Sequence, residues 1–316
     1  MTYAICGEIE FPAIRGRQKI LIRRFSSVNI QSSWQNLTST ADIVLPRKVR
    51  DFEDKKIKDL FASGDPVVIR LGLDGVVDTV FQGYVLKTSN GAPVIITCED
   101  EMYNLKRKTI SISKKSYSLK EFLKIIAPGY KIECDNTSIG SVRYREKSLS
   151  EILDDLKSKI GLYTYFRGKT LICGRTIKET ENKVKVVIEK QAADNLKERN
   201  IEDVWVKVES LQKKGKPVKF EMGEKKGNII TLKQPYLTKI EVERIAKNAY
   251  KKAKEPGLDG AITLFGTPRV EHGDTIELQS LMYPEKDGTY YVDAVTINIQ
   301  EGQGYRQEVK LGNKVK

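Results

Sequence analysis

Gly64-Asp65-Pro66-Val67-Val68-Ile69-Arg70-Leu71, early in the chain, and Gly273-Asp274-Thr275-Ile276-Glu277-Leu278, near its end, open two passages that run in the same order. The first goes through Asp74-Gly75 to Val80-Phe81-Gln82-Gly83-Tyr84-Val85, then through Asn90-Gly91 to Val94-Ile95-Ile96-Thr97-Cys98. The second goes through Asp287-Gly288 to Tyr290-Tyr291-Val292-Asp293-Ala294-Val295 and closes on Gly304-Tyr305-Arg306-Gln307-Glu308-Val309-Lys310-Leu311. Each reads as a Gly-Asp turn, a strand, a Gly turn, a long strand, another turn and a final strand. Asp-Gly and Asn-Gly are generic hairpin signals, so any antiparallel meander shares part of this pattern. The shared order of features is what reads as one β-unit written twice. Such a chain can present two similar faces to its neighbours.

The chain has 316 residues, 40% hydrophobic and 31% charged, which is room for two or three domains and an ordinary soluble composition. No apolar run approaches the roughly 20 residues of a membrane span, and the N-terminus lacks a charged-then-apolar signal pattern. Folding in a cytoplasm is therefore expected. Cys6, Cys98, Cys134 and Cys173 are far apart and without nearby histidines, which indicates neither a metal site nor a disulfide framework. The net charge of +13 is the outlier and suggests an acidic partner: nucleic acid, a membrane surface or an acidic protein. Its lysines, however, cluster in turn-like settings: Lys213-Lys214-Gly215-Lys216, Lys225-Lys226-Gly227, and Lys106-Arg107-Lys108 followed by Lys114-Lys115. None has interleaved aromatics and no helix gathers them into one reading face, so they read as exposed loop charge.

Residues 1–105 read as a first β-domain, with alternation at Ile20, Ile22, Val28 and Ile30, a strand Ala41–Leu45 stopped by Pro46, and a short helical turn over Arg50–Phe61. Residues 106–180 read as an α+β insert. Ser118-Leu119-Lys120-Glu121 and Ser148-Leu149-Ser150-Glu151 are capping boxes opening helices that end at Pro128-Gly129 and Gly161. Strands over 162–166 and 169–173 follow them. Residues 181–316 read as a second β-domain, with strands over 184–188, 204–211, 218–222 and 229–232. A third capping box, Thr238 with Glu241, opens one long helix at about 238–254, which is expected to bury Ile245, Ala246, Ala249, Tyr250 and Ala253.

Catalytic readings find little support. His272 sits in a predicted turn with no nucleophile or orienting group beside it and reads as a solvated turn residue. Glu99-Asp100-Glu101 at a strand end reads as a solvated or interface cluster, because neighbours on an extended segment point to opposite faces and make a poor carboxylate pair. Asp154-Asp155 reads as the wet face of a helix. There is no P-loop, G-x-G-x-x-G, H-E-x-x-H or G-x-S-x-G. No catalytic, cofactor-binding or metal-binding residue is assigned, and the expectation is a structural or binding protein, not an enzyme.

Several phrases resemble a known family. They are Ser33-Trp34-Gln35-Asn36-Leu37-Thr38 with Ile43-Val44-Leu45-Pro46-Arg47-Lys48, Ser63–Leu71, Phe81-Gln82-Gly83-Tyr84-Val85, Ile96–Arg107, Asp287–Val295 and Gly304–Gly312. Together they resemble the baseplate central hub proteins of contractile-tailed phages, the late control protein D family, which is similar to the hub part of type VI secretion spike proteins. The resemblance implies a mainly β fold with an α+β insert. Two similar tube-like β-barrel domains would be related by pseudo-symmetry and assemble as a pseudo-sixfold trimeric ring.

That ring would act as a symmetry adaptor. It would join a hexameric tail tube to a trimeric central spike in the virion baseplate, assembled in the bacterial host cytoplasm, with DNA only as cargo in its channel. Implied partners are the chain itself, the tail tube protein, the central spike protein and other baseplate proteins. The second β-unit ends close to Lys316, so the spike is expected to be a separate protein, and no lysozyme or peptidase domain is expected. A hub of a non-phage contractile injection system and a basic nucleic-acid-binding protein stand as alternatives, with a glycan-cleaving enzyme as a third. Tyr84, Tyr290 and Tyr291 are the aromatic positions in matching strands, and at least one of Tyr290 and Tyr291 is expected in a core. Edge strands are the expected joints between subunits.

Overall fold

The computed structural model describes residues 4–46, 60–89, 91–174, 183–199, 203–212, 215–233, 237–255 and 257–315. The first repeat contains β1 (Ile5–Phe11), β2 (Ile20–Ile22), β3 (Ser27–Ser33), β4 (Thr40–Leu45), β5 (Pro66–Leu73), β6 (Val76–Thr88) and β7 (Val94–Glu99). Alternation decides which side faces inward: Val28 and Ile30 in β3, and Ala41, Ile43 and Leu45 in β4, are buried while the residues between them face out. Asp74 (φ 52°) and Gly75 (φ 84°) both take left-handed conformations, the backbone that matches a tight hairpin to strand twist, and so join β5 to β6. The helical turn read over Arg50–Phe61 falls mostly outside the described residues. Its last two members, Leu60 and Phe61, lie in the core.

The insert contains α1 (Met102–Leu105), β8 (Thr109–Ser118), α2 (Leu119–Ile126), β9 (Lys131–Cys134), β10 (Ser138–Ser148), α3 (Leu149–Ile160), β11 (Tyr163–Arg167) and β12 (Thr170–Gly174). Both capping boxes form, Ser118 with Glu121 and Ser148 with Glu151, and Gly161 at φ 70° closes α3. Phe122, Leu123, Ile152, Leu153 and Leu156 meet Phe166 and Leu171 in a core of their own.

The chain then runs through β13 (Lys183–Val187), α4 (Ile188–Gln191), β14 (Ala192–Asp194) and β15 (Lys197–Glu198). Next, β16 (Val204–Ser210), β17 (Val218–Gly223), β18 (Asn228–Lys233) and α5 (Lys239–Ala253) form a third, small core. Its deepest residues on α5 are Val242 and Ala246. Ile245, Ala249, Tyr250 and Ala253 are only partly buried, because a three-stranded sheet covers the helix on one side. This corrects the expected buried face, which omitted Val242. The capping box at Thr238 forms: its Oγ1 accepts from the Glu241 amide at 3.3 Å, and the Glu241 carboxylate accepts from the Thr238 amide at 2.8 Å. The second repeat ends with β19 (Leu258–Asp259), β20 (Ala261–Phe265), β21 (Thr275–Gln279), β22 (Gly288–Gln300) and β23 (Gly304–Lys314).

The spatial order in the first repeat is β3-β4-β7-β6-β5-β1, and in the second it is β14-β20-β23-β22-β21-β13. Six strands therefore recur in the same sequence order and the same spatial order, where the sequence passages pointed to three. One strand departs from the pattern: β1 runs antiparallel to β5, whereas β13 runs parallel to β21. Strand β22, 13 residues long, pairs with β21 over its first part and with β3 over Ala294–Gln300. That pairing fuses both repeats into one 13-stranded sheet over one shared core.

Candidate assembly interface

The two repeats agree atom by atom at their Gly-Asp turns. Gly64 and Gly273 donate to the carbonyls of Val85 and Val292 at 2.8 and 2.9 Å, and Val85 and Val292 donate back to Asp65 and Asp274, both at 2.9 Å. The Asp65 and Asp274 carboxylates accept from the amides of Ala62 and Glu271, each at 3.1 Å. A guanidinium lies at each carboxylate, Arg17 at 3.5 Å from Asp65 and Arg167 at 2.5 Å from Asp274. Tyr84 stands opposite Pro66, and Tyr291 opposite Thr275, so these two tyrosines are counterparts. Tyr290 is the core member of its pair, 2% exposed, as one of the two was expected to be.

From β22 to β3 the register runs from Ala294 opposite Ser33 to Gln300 opposite Ser27. Ser33 Oγ donates to the Asp293 carbonyl at 2.9 Å, and Gln35 Nε2 donates to the Asp293 carboxylate at 3.2 Å. Inward, Ile30 meets Ile297 and Val28 meets Ile299. Outward, Asn29, Gln31, Thr296 and Asn298 carry amides and hydroxyls. The charges beside them on β4 and β23 are Asp42 and Glu308 against Arg306 and Lys310. This polar face contains a shallow hollow of about 430 Å³ walled by Asn29, Thr263, Asn298, Arg306 and Glu308. These four charges balance, and the exposed apolar residues on the same side are Ile95 on β7 and Phe265 on β20.

The sequence-selected chemistry resolves into packing. Glu99, Asp100 and Glu101 are buried, at 6–7% exposure, which corrects the solvated reading. They join the first repeat to the insert. Glu99 pairs with Lys106 at 2.6 Å, Asp100 accepts from the amides of Ser39 and Met102, and Glu101 accepts from Tyr130 Oη at 3.0 Å. Burial pushes the Asp100 carboxyl up to about 6. His272 does lie in a turn but is 7% exposed, edge-on to Tyr165 at 5.2 Å, because the insert packs over it. Burial, and then Arg167, bring its imidazole down to about 4 and keep it neutral. Its Nε2 has no hydrogen-bond partner among the described residues. Nor do the described residues contain a group of three or more His, Cys, Asp or Glu able to hold a metal ion. No disulfide joins the four cysteines, and Cys98 and Cys173 are buried.

Of the lysine clusters, Lys213 and Lys214 fall outside the described residues. Lys216, Lys225 and Lys226 are exposed on the small third-core unit, and Arg107, Lys108 and Lys114 are exposed on the insert. None stands on the strands that form the polar face. No helix among the described residues is long and apolar enough to cross a membrane.

No protein-family model and no curated protein matches the sequence. The fold, by contrast, is shared with phage tail and type VI secretion proteins over almost the whole chain. The 43 kDa tail protein of prophage MuSo2 from Shewanella oneidensis is 13% identical with a TM-score of 0.73, over 97% of this chain and 98% of that one. A tail protein from Neisseria meningitidis MC58 is 12% identical with a TM-score of 0.66, over 98% and 97%. The E. coli c3393 protein is described as a component of the type VI secretion system similar in structure to the T4 tail proteins gp27 and gp5. It is 11% identical with a TM-score of 0.61, over 92% of this chain and 74% of that one.

Proposed function

We propose that this chain is a structural hub of a phage-type contractile tail, three copies of which close head to tail into a ring of six repeats. The ring seats a tail tube on one end and a threefold spike on the other, and it performs no catalysis. The observation that carries the proposal is the β22–β3 joint. It is one repeat-to-repeat contact of the required kind, made inside a single chain, and the shared fold with phage tail proteins supports the setting.

The internal repeat also supplies the missing joint. Asn29 and Asn195 are counterparts, because they bond Asp42 and Ala261, which themselves face Thr97 and Lys310. Ala294 and Lys87 are counterparts, because they too face Lys310 and Thr97. Carrying the β22–β3 register through these equivalences sets Lys87–Ser89 of one copy against Lys197–Arg199 of the next, with Thr88 opposite Glu198.

Hydrogen-bond parity agrees with this register. The Ser89 amide bonds Ile95 and the Arg199 amide bonds Gly257, so the backbone groups of Thr88 and Glu198 point away from their present neighbours. No described strand pairs with β14 or β15 on that side. Such a heterologous contact makes rings when its rotation closes. The polar face then lines the channel, where balanced charge avoids the salt-sensitive hold that a cationic bore would exert on DNA.

The test is the mass of the purified chain in solution, alone and with its tube or spike partner. A trimer is expected, and a monomer under all these conditions overturns the proposal.

A further inference from the structure

The two repeats differ at one turn. Asp74-Gly75 alone joins β5 to β6, whereas Ser280–Asp287 joins β21 to β22. The longer turn holds Leu281, Met282 and Tyr283 in solvent at 60%, 69% and 49% exposure. Three consecutive large apolar side chains on one turn give folding little and cost solubility, which marks a contact surface. The turn is also built rigidly. The Glu189 carboxylate accepts from the amides of Leu281 at 3.0 Å and Met282 at 3.2 Å and from Ser280 Oγ at 2.5 Å. The Ser280 amide donates to Asp287 at 2.7 Å, and the Tyr283 amide donates to Ser280 Oγ at 2.9 Å. Lys286 stands 4.9 Å over the Tyr283 ring while paired with Asp194 at 2.9 Å. The bond from Leu281, followed by that from Ser280, brings the Glu189 carboxyl down to about 2, so this brace stays ionised through mildly acidic pH.

We infer that Leu281-Met282-Tyr283 is a docking knob for a separate protein of threefold symmetry that seats on one end of the ring; the inference rests on the ring reading above. The knob belongs to one repeat of each chain, so a three-chain ring offers it at alternate positions, with the short Asp74-Gly75 turn in between. A sixfold partner would meet two different surfaces, whereas a threefold one meets a single surface throughout. Preformed apolar anchors lose little freedom on binding, and tyrosine and methionine are favoured at such centres. Lys286 is paired with Asp194, and the Glu189 and Asp287 carboxylates accept from the turn's own amides, so the flank carries no excess of positive charge. The partner face the knob fits is therefore an apolar recess. Lys314 near the end of β23 bonds the Asp287 carbonyl, which places the knob at the end of the sheet where β23 finishes.

A photo-crosslinking residue at Met282, with Val76 beside the short turn as the control position, tests this in tail particles purified from cells that make the full chain. Position 282 is expected to cross-link to one separate protein in equal number with this chain, and position 76 is not. Cross-linking at 282 to another copy of this chain, to lipid or to nothing overturns the knob. In a second arm, Leu281→Asp combined with Met282→Asp is expected to lower the partner content of particles at least about tenfold while the purified chain keeps its trimeric mass. Trimeric mass without a partner effect overturns only the knob, whereas a monomeric mass of the unaltered chain under all conditions overturns the ring reading and the knob with it.

Discussion

The indole Nε1 of Trp34 donates to the carboxylate of Asp293 at 2.8 Å, across the seam where the two repeats meet. The same indole packs edge-on against Tyr163 of the insert at 4.7 Å, so one side chain ties three parts of the chain together. Trp34 is 8% exposed, and a buried donor left unpaired costs the desolvation of that group. Asp293→Ala is therefore expected to lower the unfolding free energy by about 1–3 kcal/mol, measured by denaturant titration. Trp34→Phe, which removes donor and partner contact but keeps an aromatic ring, should cost less than Trp34→Ala. Equal losses from both would show that the aromatic ring contributes nothing beyond the bond to Asp293.

Gly83 has no room for a side chain. A Cβ there would lie 2.0 Å from the carbonyl oxygen of Glu99, a backbone atom that cannot move aside without breaking the β6–β7 pairing. Gly83→Ala should destabilise the chain by about 3 kcal/mol or more, read as a lowered thermal midpoint and poor recovery of soluble protein. An unchanged midpoint would mean that the two strands separate more easily than their register implies.

The repeat was legible because its markers are local. Gly-Asp turns, the Asp74-Gly75 turn and the alternation of Val28, Ile30, Ala41 and Ile43 each follow from backbone preferences a few residues long. The capping boxes at Ser118, Ser148 and Thr238 were legible for the same reason. The β22–β3 seam was not, since it joins residues more than 250 positions apart and nothing in Ser27–Ser33 announces its partner. The long β8–β10 pair was hidden by lysine- and serine-rich strands with little apolar alternation. The burial of His272 and of Glu99–Glu101 depends on the insert folding over both repeats, which sequence neighbours cannot report.

His272 and Asp100 should pull stability in opposite directions between pH 7 and 4.5. The folded pKa of His272, about 4, lies below the ordinary 6.5, so its contribution is complete above 6.5 and is lost as pH falls toward 4. The folded pKa of Asp100, about 6, lies above the ordinary 3.8, so its contribution is complete below 3.8 and is lost as pH rises through 6. Each shift corresponds to something on the order of 3 kcal/mol, and the two nearly cancel in the unaltered chain. Measured against that chain, the deficit of His272→Gln should shrink on going from pH 7 to 4.5, while the deficit of Asp100→Asn should grow. Deficits that stay constant with pH would mean that neither group titrates as its burial requires.

Glu198 offers the cleanest separation of folding from assembly. Its neighbour Arg199 bonds Gly257, so the amide of Glu198 faces away from β19 and meets no further strand among the described residues. Proline is tolerated at an edge position of that kind, because it removes a donor the fold does not use. Between copies the same amide would meet Thr88, and there its loss and the proline ring would block pairing. Glu198→Pro is therefore expected to keep the far-ultraviolet spectrum and thermal midpoint of the parent while shifting the mass in solution from trimer to monomer. Glu198→Ala, which keeps the amide, should remain trimeric. If Glu198→Pro also stays trimeric, the ring does not close through β15, and the register carried over from the β22–β3 seam is wrong.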